Sequence, residues 1–150
     1  MLEIIRRTFS QVSREKGFNA LLEEYAAECA IHGLPEPSPR FETYKMLDTS
    51  TMFHGLGAYF DGRLIGFAAI LAPIIPHYGT TIATMESIFV TREFRRKTGA
   101  GMGLLREAQQ IAREIGSPAI MISAPTESAL ERVLPRLGFR ATNTVFTRTL

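Results

Sequence analysis

The sequence is poor in several features that usually announce a function. It has one cysteine in 150 residues, Cys29, so no internal disulfide and no multi-cysteine metal site can form. A lone cysteine fits a reducing compartment. Its three histidines stand apart, with no carboxylate at ligand spacing, so no metal site is expected. Net charge is also scarce: 17 Lys and Arg stand against 15 Asp and Glu, a formal +2. That balance argues against a polyanion-binding surface, and no nucleic-acid partner is expected. The longest apolar stretch, Leu64 to Pro76, is shorter than the roughly 20 residues of a spanning helix and holds two prolines. The first residues lack the apolar core of a secretory leader. The expected setting is therefore the cytoplasm, without a membrane partner. No internal repeat or low-complexity run is present.

What remains is a chain able to build a core. Hydrophobic residues make up 45% and charged residues 21%, which excludes disorder. At this length one domain spanning 1–150 is expected, and area scaling predicts a folded surface of roughly 7,600 Å². The proline-rich stretch Gly33 to Pro39 is short and follows only 32 residues, so it joins helices rather than domains.

Periodicity gives the order of elements. Residues 1–7 suit a first strand. Phe18 to Ala30 carries Phe18, Leu21, Leu22, Tyr25, Ala26 and Cys29 on a helical stripe, ended by Gly33 and Pro35. Arg40 to Leu47 reads as a short second helix. Phe53 to Phe60 and Arg63 to Ile75 flank Asp61-Gly62, the signature of a type I′ hairpin. Ile82 to Thr91 is a further strand, with Glu86, Ile88 and Val90 expected on one face and Met85, Ser87 and Phe89 on the other. From Gly101 a helical stripe returns with Leu104, Leu105, Ala108, Ile111, Ala112 and Ile115, stopped at Gly116-Ser117-Pro118. Ala119 to Ser123 is β-like. Ser128 and Glu131 form a capping box before a last helix ending at Gly138, and the tail has room for one strand or a short hairpin. A run of hairpins followed by βαβ units predicts an α+β sandwich, with a mixed, mostly antiparallel sheet between helices.

One segment carries chemistry. Between Glu86 and Leu105 a strand ends in a basic, glycine-rich turn that opens an amphipathic helix. Such a turn cradles an anion: glycines admit a phosphate to the backbone, and the first amides of the helix point at it. Residues 92–97 hold four of the 17 basic side chains and one of the 15 acidic ones, a local +3 that leaves 13 basic against 14 acidic elsewhere. The positive excess thus sits in one turn, as a small, highly charged ligand requires. The bland alternative is an ordinary strand-to-helix loop. Neither a dinucleotide fingerprint nor a P-loop is present, since Leu104 stands where the third glycine would be needed.

Arg96-x-x-Gly99-x-Gly101, in this context and with the ending Leu137-Gly138-Phe139, resembles the pyrophosphate signature of the GNAT acetyltransferase superfamily. The resemblance covers about residues 53–140. It implies the family's fold and transfer of acetyl from acetyl-CoA to a primary amine by direct attack. Ile88, Phe89 and Val90 would lie along the pantetheine arm. Arg95, Arg96, Lys97, Thr98, Gly99, Ala100 and Gly101 would hold the pyrophosphate, with Met102 and Gly103 in the first helical turn. Thr126 falls where relatives carry an Asn that contacts the cofactor.

Glu86 is the candidate general base, its plainer reading being an ion-pair partner or a β-bulge residue. His77 and Tyr78, between two strands, and Tyr44, in an early helix, are candidate substrate contacts. The family's usual general-acid tyrosine, four residues before the glycine of Gly-Phe, is replaced by Leu134. Val90 to Arg96 is one residue longer than usual, with Thr98 in place of a glycine, so the turn could register on Arg95. Only 11 residues follow Phe139, which predicts an open acceptor site or one completed by a homodimer. Two rivals remain open: a non-catalytic acyl-CoA-binding module with a degenerate site, and a generic phosphate-ligand domain.

Overall fold

The structure is a computed structural model describing residues 1–150. A five-stranded sheet has the order β1-β2-β3-β6-β7, antiparallel except for its last pair. Its strands are β1 (Leu2–Arg7), β2 (Phe53–Phe60), β3 (Arg63–Leu71), β6 (Ala83–Val90) and β7 (Ile120–Ile122), while β4 (Ile74–Ile75) and β5 (Thr80–Thr81) form a small separate ribbon. The expected strand from Arg63 to Ile75 is therefore cut at Leu71. The following Ala72-Pro73 leads into the ribbon, because proline cannot donate to a sheet ladder. Asp61 and Gly62 both have positive φ, 49° and 78°, as a type I′ turn demands.

Helices cover both faces, as the α+β sandwich expectation requires. On one face lies α5 (Ala100–Glu114), whose Ala100, Leu104, Leu105, Ala108, Ile111 and Ala112 are buried against Leu56, Ile65, Ile70 and Met85 of the sheet. Arg6 clamps β1 to this helix through Glu107 (2.7 Å) and Glu114 (2.6 Å). On the other face lie α2 (Phe18–Cys29), α3 (Phe41–Asp48) and the short α1 (Phe9–Val12). Their core is aromatic: Phe18, Tyr59, Phe67 and Phe89 are buried there with Phe9 and Phe41 beside them.

Two one-turn helices, α1 and α4 (Arg92–Arg95), carry too few residues for a hydrophobic period to show in the sequence. The first has a capping box between Thr8 and Gln11. Beyond it, Asp48 accepts the amides of Phe9 (2.6 Å) and Ser10 (2.8 Å) and the Ser10 hydroxyl (2.7 Å), which ties the end of α3 to the start of α1.

Three further expectations are corrected. The register of β6 slips opposite Ala69/Ile70: Ser87 pairs with Ala69 and Met85 with Ile70, so Glu86 is the extra residue of a β-bulge. Met85 consequently shares the α5 face with Ile88 and Val90, while Glu86 is exposed rather than enclosed by its apolar neighbours. Second, the box at Ser128 is half-formed. Ser128 Oγ accepts the Glu131 amide (3.1 Å), but the Glu131 carboxylate turns to the amide of Glu127, ahead of α6 (Ala129–Val133). Third, after a 3₁₀ turn at Leu134–Leu137 and a left-handed Gly138, the tail forms no strand. It runs exposed, and its Thr149 hydroxyl donates to the Gly33 carbonyl (3.1 Å). This extended end helps raise the accessible surface to 10249 Å², above the value that compact scaling predicts.

Replacing Asp48 with alanine strands two amides and a hydroxyl in a partly buried joint. The expected cost is about 1–3 kcal/mol, read as a lower urea midpoint with an unchanged m-value.

Candidate functional site

The site forms where β6 leaves β7. Only Ala83, Thr84 and Met85 of β6 pair with β7, at Ile120, Met121 and Ile122. Beyond the bulge β6 has no strand on that side. The Thr91 amide donates to Ile65 of β3 (2.9 Å). By antiparallel alternation, the backbone groups of Val90 and Ile88 then point away from β3, into the open edge, whereas those of Phe89 point toward β3. An extended ligand running along this edge meets the N–H and C=O of Ile88 and the N–H of Val90. The Val90 carbonyl is already taken: Arg95 donates to it from Nε (3.0 Å) and from a terminal nitrogen (2.9 Å).

The basic turn follows directly. Arg95 lies with its guanidinium 5.3 Å from the centre of the Phe89 ring, and it also reaches Glu28 (2.8 Å). Arg92 pairs with the other oxygen of Glu28. Glu24, one turn earlier on α2, accepts the Thr91 hydroxyl (2.7 Å) and the Arg92 amide (2.9 Å). Burial works against the charge of Glu24. The Arg92 amide, the Thr91 hydroxyl and the nearby Arg95 and Arg92 guanidiniums outweigh it, holding the carboxyl below the usual carboxylate range. Glu24 and Glu28 escaped the reading of the sequence. The available signal was an i, i+4 acidic pair on α2 able to complement the basic run at 92–97.

Two of the four cations in the turn are thus occupied, while Arg96 and Lys97 are exposed and unpaired. Gly99 holds φ at 73°, a left-handed entry that lets α5 start without turning a side chain toward the approach. A Cβ built on Gly99 or Gly101 would meet nothing within 4 Å, so the space before the helix is open. Thr98 caps this end: its hydroxyl accepts the Ala100 amide (3.2 Å) and donates to the Phe94 carbonyl (3.0 Å). The amides of Gly99, Gly101 and Met102 have no acceptor in the protein, and that of Gly103 turns inward to the Gly99 carbonyl. Free amides at a helix N-terminus with two unpaired cations fit a pyrophosphate.

On the opposite side of β6, the exposed bulge carboxylate meets a phenol. Tyr44 donates to Glu86 Oε1 at 2.8 Å and leaves Oε2 free. Tyr44 stacks on Phe9 (4.6 Å between centroids) and meets Phe53 edge-on. Tyr25, locked against Phe67 and Phe89, shares the vicinity. Burial first, then the Glu86 charge and its hydrogen bond, push the Tyr44 phenol well above its ordinary value. Burial, with Cys29 and Glu86 adding to it, pushes Tyr25 up to about 12. Both phenols therefore stay protonated at neutral pH.

Of the candidate substrate contacts, only Tyr44 reaches Glu86. His77 and Tyr78 sit exposed at the tip between β4 and β5, edge-to-face with each other at 4.8 Å, and neither hydrogen-bonds to Glu86. Thr126 is exposed in the loop between β7 and α6. Leu134 is buried in the α5-side core, so that position supplies no proton donor. No group of three His, Cys, Asp or Glu side chains is arranged to hold a metal ion. No helix is long and apolar enough to cross a membrane.

Comparison with known proteins bears on the family and the fold. The sequence pattern described as the Acetyltransferase (GNAT) family matches residues 18–139. No curated protein matches the sequence. Among solved structures, a ribosomal-protein-alanine N-acetyltransferase from Brucella melitensis biovar Abortus 2308 superposes with TM-score 0.74 at 18% identity, over 100% of this chain and 99% of the other. An aminoglycoside acetyltransferase from an uncultured soil metagenomic sample, solved with sisomicin, gives 0.74 at 16% identity, over 99% and 96%. AAC(6')-Iy in complex with a bisubstrate analogue, CoA-S-monomethyl-acetylneamine, gives 0.74 at 19% identity, over 99% and 97%. At these identities the likeness is one of fold.

The anchoring of the turn has a pH signature. Because the folded Glu24 carboxyl lies below its ordinary value of 4.5, its contribution is present above that pH and lost as pH falls through the lowered value. In Glu24→Gln the acid arm of a stability titration should be shallower below about pH 4.5, while the neutral-pH plateau drops.

Proposed function

We propose, from the premise that the chain belongs to the GNAT acetyltransferase family, that it transfers acetyl from acetyl-CoA to a primary amine by direct attack, with Glu86 as general base. The observation that carries this reading is the bulge. It presents one carboxylate, fixed by Tyr44 and with a free oxygen, beside the open backbone edge of β6.

The residues divide the work by position. Ile88 and Val90 offer backbone groups to the pantetheine arm. Arg96, Lys97 and the amides of Gly99, Gly101 and Met102 meet the pyrophosphate. Arg95 acts as a positioning residue that ties the turn to β6, with Glu28 holding it from α2. Phe89, Thr98, Ala100 and Gly103 shape the cradle without donating to it. When bound, acetyl-CoA supplies a thioester carbon whose bond to sulfur breaks as the bond to nitrogen forms.

Energetics decide what the protein must add. An alkyl amine with pKa near 10.4 is neutral in only about one part in 2,500 at pH 7, which costs about 4.6 kcal/mol. Oε2 of Glu86 can take that proton, either directly or through one water. Attack on the thioester then needs no covalent intermediate on the enzyme.

The rival reading, a non-catalytic acyl-CoA-binding module, draws on Leu134. That buried aliphatic side chain stands at the position of the family's usual acid and offers nothing polar in its stead. Thiol release over a panel of amines separates the two. A homodimer in which the exposed tail walls the partner's acceptor side is compatible with either.

Glu86→Gln is expected to lower kcat by about 10²- to 10⁴-fold while acetyl-CoA affinity by calorimetry stays within twofold; equal turnover sinks the assignment. Replacing Arg96 and Lys97 together with Ala should weaken acetyl-CoA binding at least tenfold and flatten its salt dependence. The same pair of changes should leave the denaturation midpoint unmoved, since neither side chain has a partner to lose.

A further inference from the structure

A cavity opens between the α1–α3 helices and the sheet, on the Glu86 side of β6. Its walls include Phe9, Phe18, Leu22, Tyr25, Phe53 and Phe67. Tyr44 and Ser87 also line it, and they connect it to the base: Tyr44 donates to Glu86, and Ser87 is the next residue after it. No Asp, Glu, Lys, Arg or His side chain faces its interior. Its volume is about 60 Å³. For scale, an apolar cavity of about 150 Å³ accommodates benzene, so this one holds roughly two to four aliphatic carbons.

We propose that this cavity selects the acceptor, receiving the short aliphatic group of a primary amine whose nitrogen sits at Glu86. The inference rests on the reading of Glu86 as the base of an acetyltransferase, and it names the class of amine. Two properties of the cavity lead there. An apolar wall rewards each methylene withdrawn from water. A second ammonium placed inside would meet no charged partner, and a set of hydroxyls would find only those of Thr8, Tyr25, Ser87 and the already committed Tyr44, an incomplete replacement for water that is penalised in such surroundings. The site therefore favours a monoamine with a small branched or linear alkyl group over polyamines and polyhydroxylated amino sugars. The shared chemistry, an amine-bearing carbon with a short apolar substituent, occurs both in free alkylamines and in peptides that begin with a small aliphatic residue.

The test uses the whole chain with acetyl-CoA and measures thiol release. The free-amine arm runs ethylamine, propylamine and isobutylamine against ethanolamine, 1,3-diaminopropane and sisomicin. The peptide arm compares tripeptides beginning with Val, Ser and Gly. Expected is a rise in kcat/KM of about fourfold per added methylene, until the cavity is filled. Ethanolamine and 1,3-diaminopropane should fall at least tenfold below propylamine. The source is free amines if that arm exceeds the Val tripeptide, and peptides if the order reverses. Leu22→Phe, which fills the cavity from a half-buried position on α2, should flatten the series. If that variant does not fold, the series on the unaltered chain stands alone.

A second readout is the thermal shift of the CoA-bound protein in the same amines, which reports occupancy without turnover. Acetylation with a flat or falling series overturns the cavity proposal and leaves the transfer reading standing. No acetylation, together with a thermal shift that grows with chain length, supports the cavity and overturns the transfer reading. No acetylation and no shift overturns both.

Discussion

The bulge at Glu86 is the constraint on which the site depends. One extra residue in β6 turns two alternations into a mismatch, and the strand resolves it by putting Met85 and Ile88 on the same face. Three consequences follow from that single irregularity. Glu86 is thrown out of the ladder toward Tyr44. The strand bends, and its pairing with β7 ends at Met85. The backbone groups of Ile88 and Val90 then face an open edge rather than a neighbour. In a regular strand Glu86 would hold a place in the ladder opposite β3 rather than stand out of it. Bulges bend and retwist strands in this way, which is why they are common beside active sites.

The second constraint is electrostatic. Four cations crowded into six residues repel one another, and a loop left to itself would splay. Glu28 and Glu24 on α2 absorb this by binding the two arginines and the amide nearest β6. Arg95 then bonds back to the Val90 carbonyl and stacks on Phe89, so the turn is tied to both helix and strand. Only Arg96 and Lys97 are left unpaired, and they come just before the free amides of Gly99, Gly101 and Met102 in the chain. The local charge of +3 in the sequence is therefore not a measure of what a ligand meets. Half of the positive side chains hold the cradle together, and the other half face outward.

The sequence carried the layered architecture well, because each long element has a strong period. The α5 stripe, the Asp61-Gly62 hairpin and the α2 stripe all appear within a few residues of their expected bounds. It also marked the glycine-rich basic turn and the carboxylate on which the proposed function draws, since both are local features of residues 86–103. What it concealed has a common cause. The faces of β6 depend on a register slip against β3, which is a property of two strands and not of one. The partners of Arg92 and Arg95 lie more than 60 residues away on α2. The helices α1 and α4 are single turns, and the tail, rich in Thr with Val145 and Phe146, has strand composition yet pairs with no strand. Local propensity predicts what a segment could do, and tertiary pairing decides it.

The buried Leu134 bears on how much chemistry the remaining groups must supply. In the proposed transfer two protons are at issue: one leaves the amine, and one could be given to the departing sulfur. The two demands are unequal. With a thiol reference near 8.5, a thiolate at pH 7 is only about 1.5 units from its preferred form, roughly 2 kcal/mol. An alkylammonium near 10.4 is about 3.4 units away, roughly 4.6 kcal/mol. Losing the acid therefore forfeits less than losing the base, and water at the open edge can protonate the thiolate after it departs. An active site that keeps one of the two groups does best to keep the base. The pairing of an exposed Glu86 with Tyr44, in a chain that has a buried leucine at the position of the family's usual acid, is consistent with that choice. In the proposed transfer the whole burden of amine activation then falls on the geometry of one bulge, whose carboxylate is tied through Tyr44 to the wall of the apolar cavity.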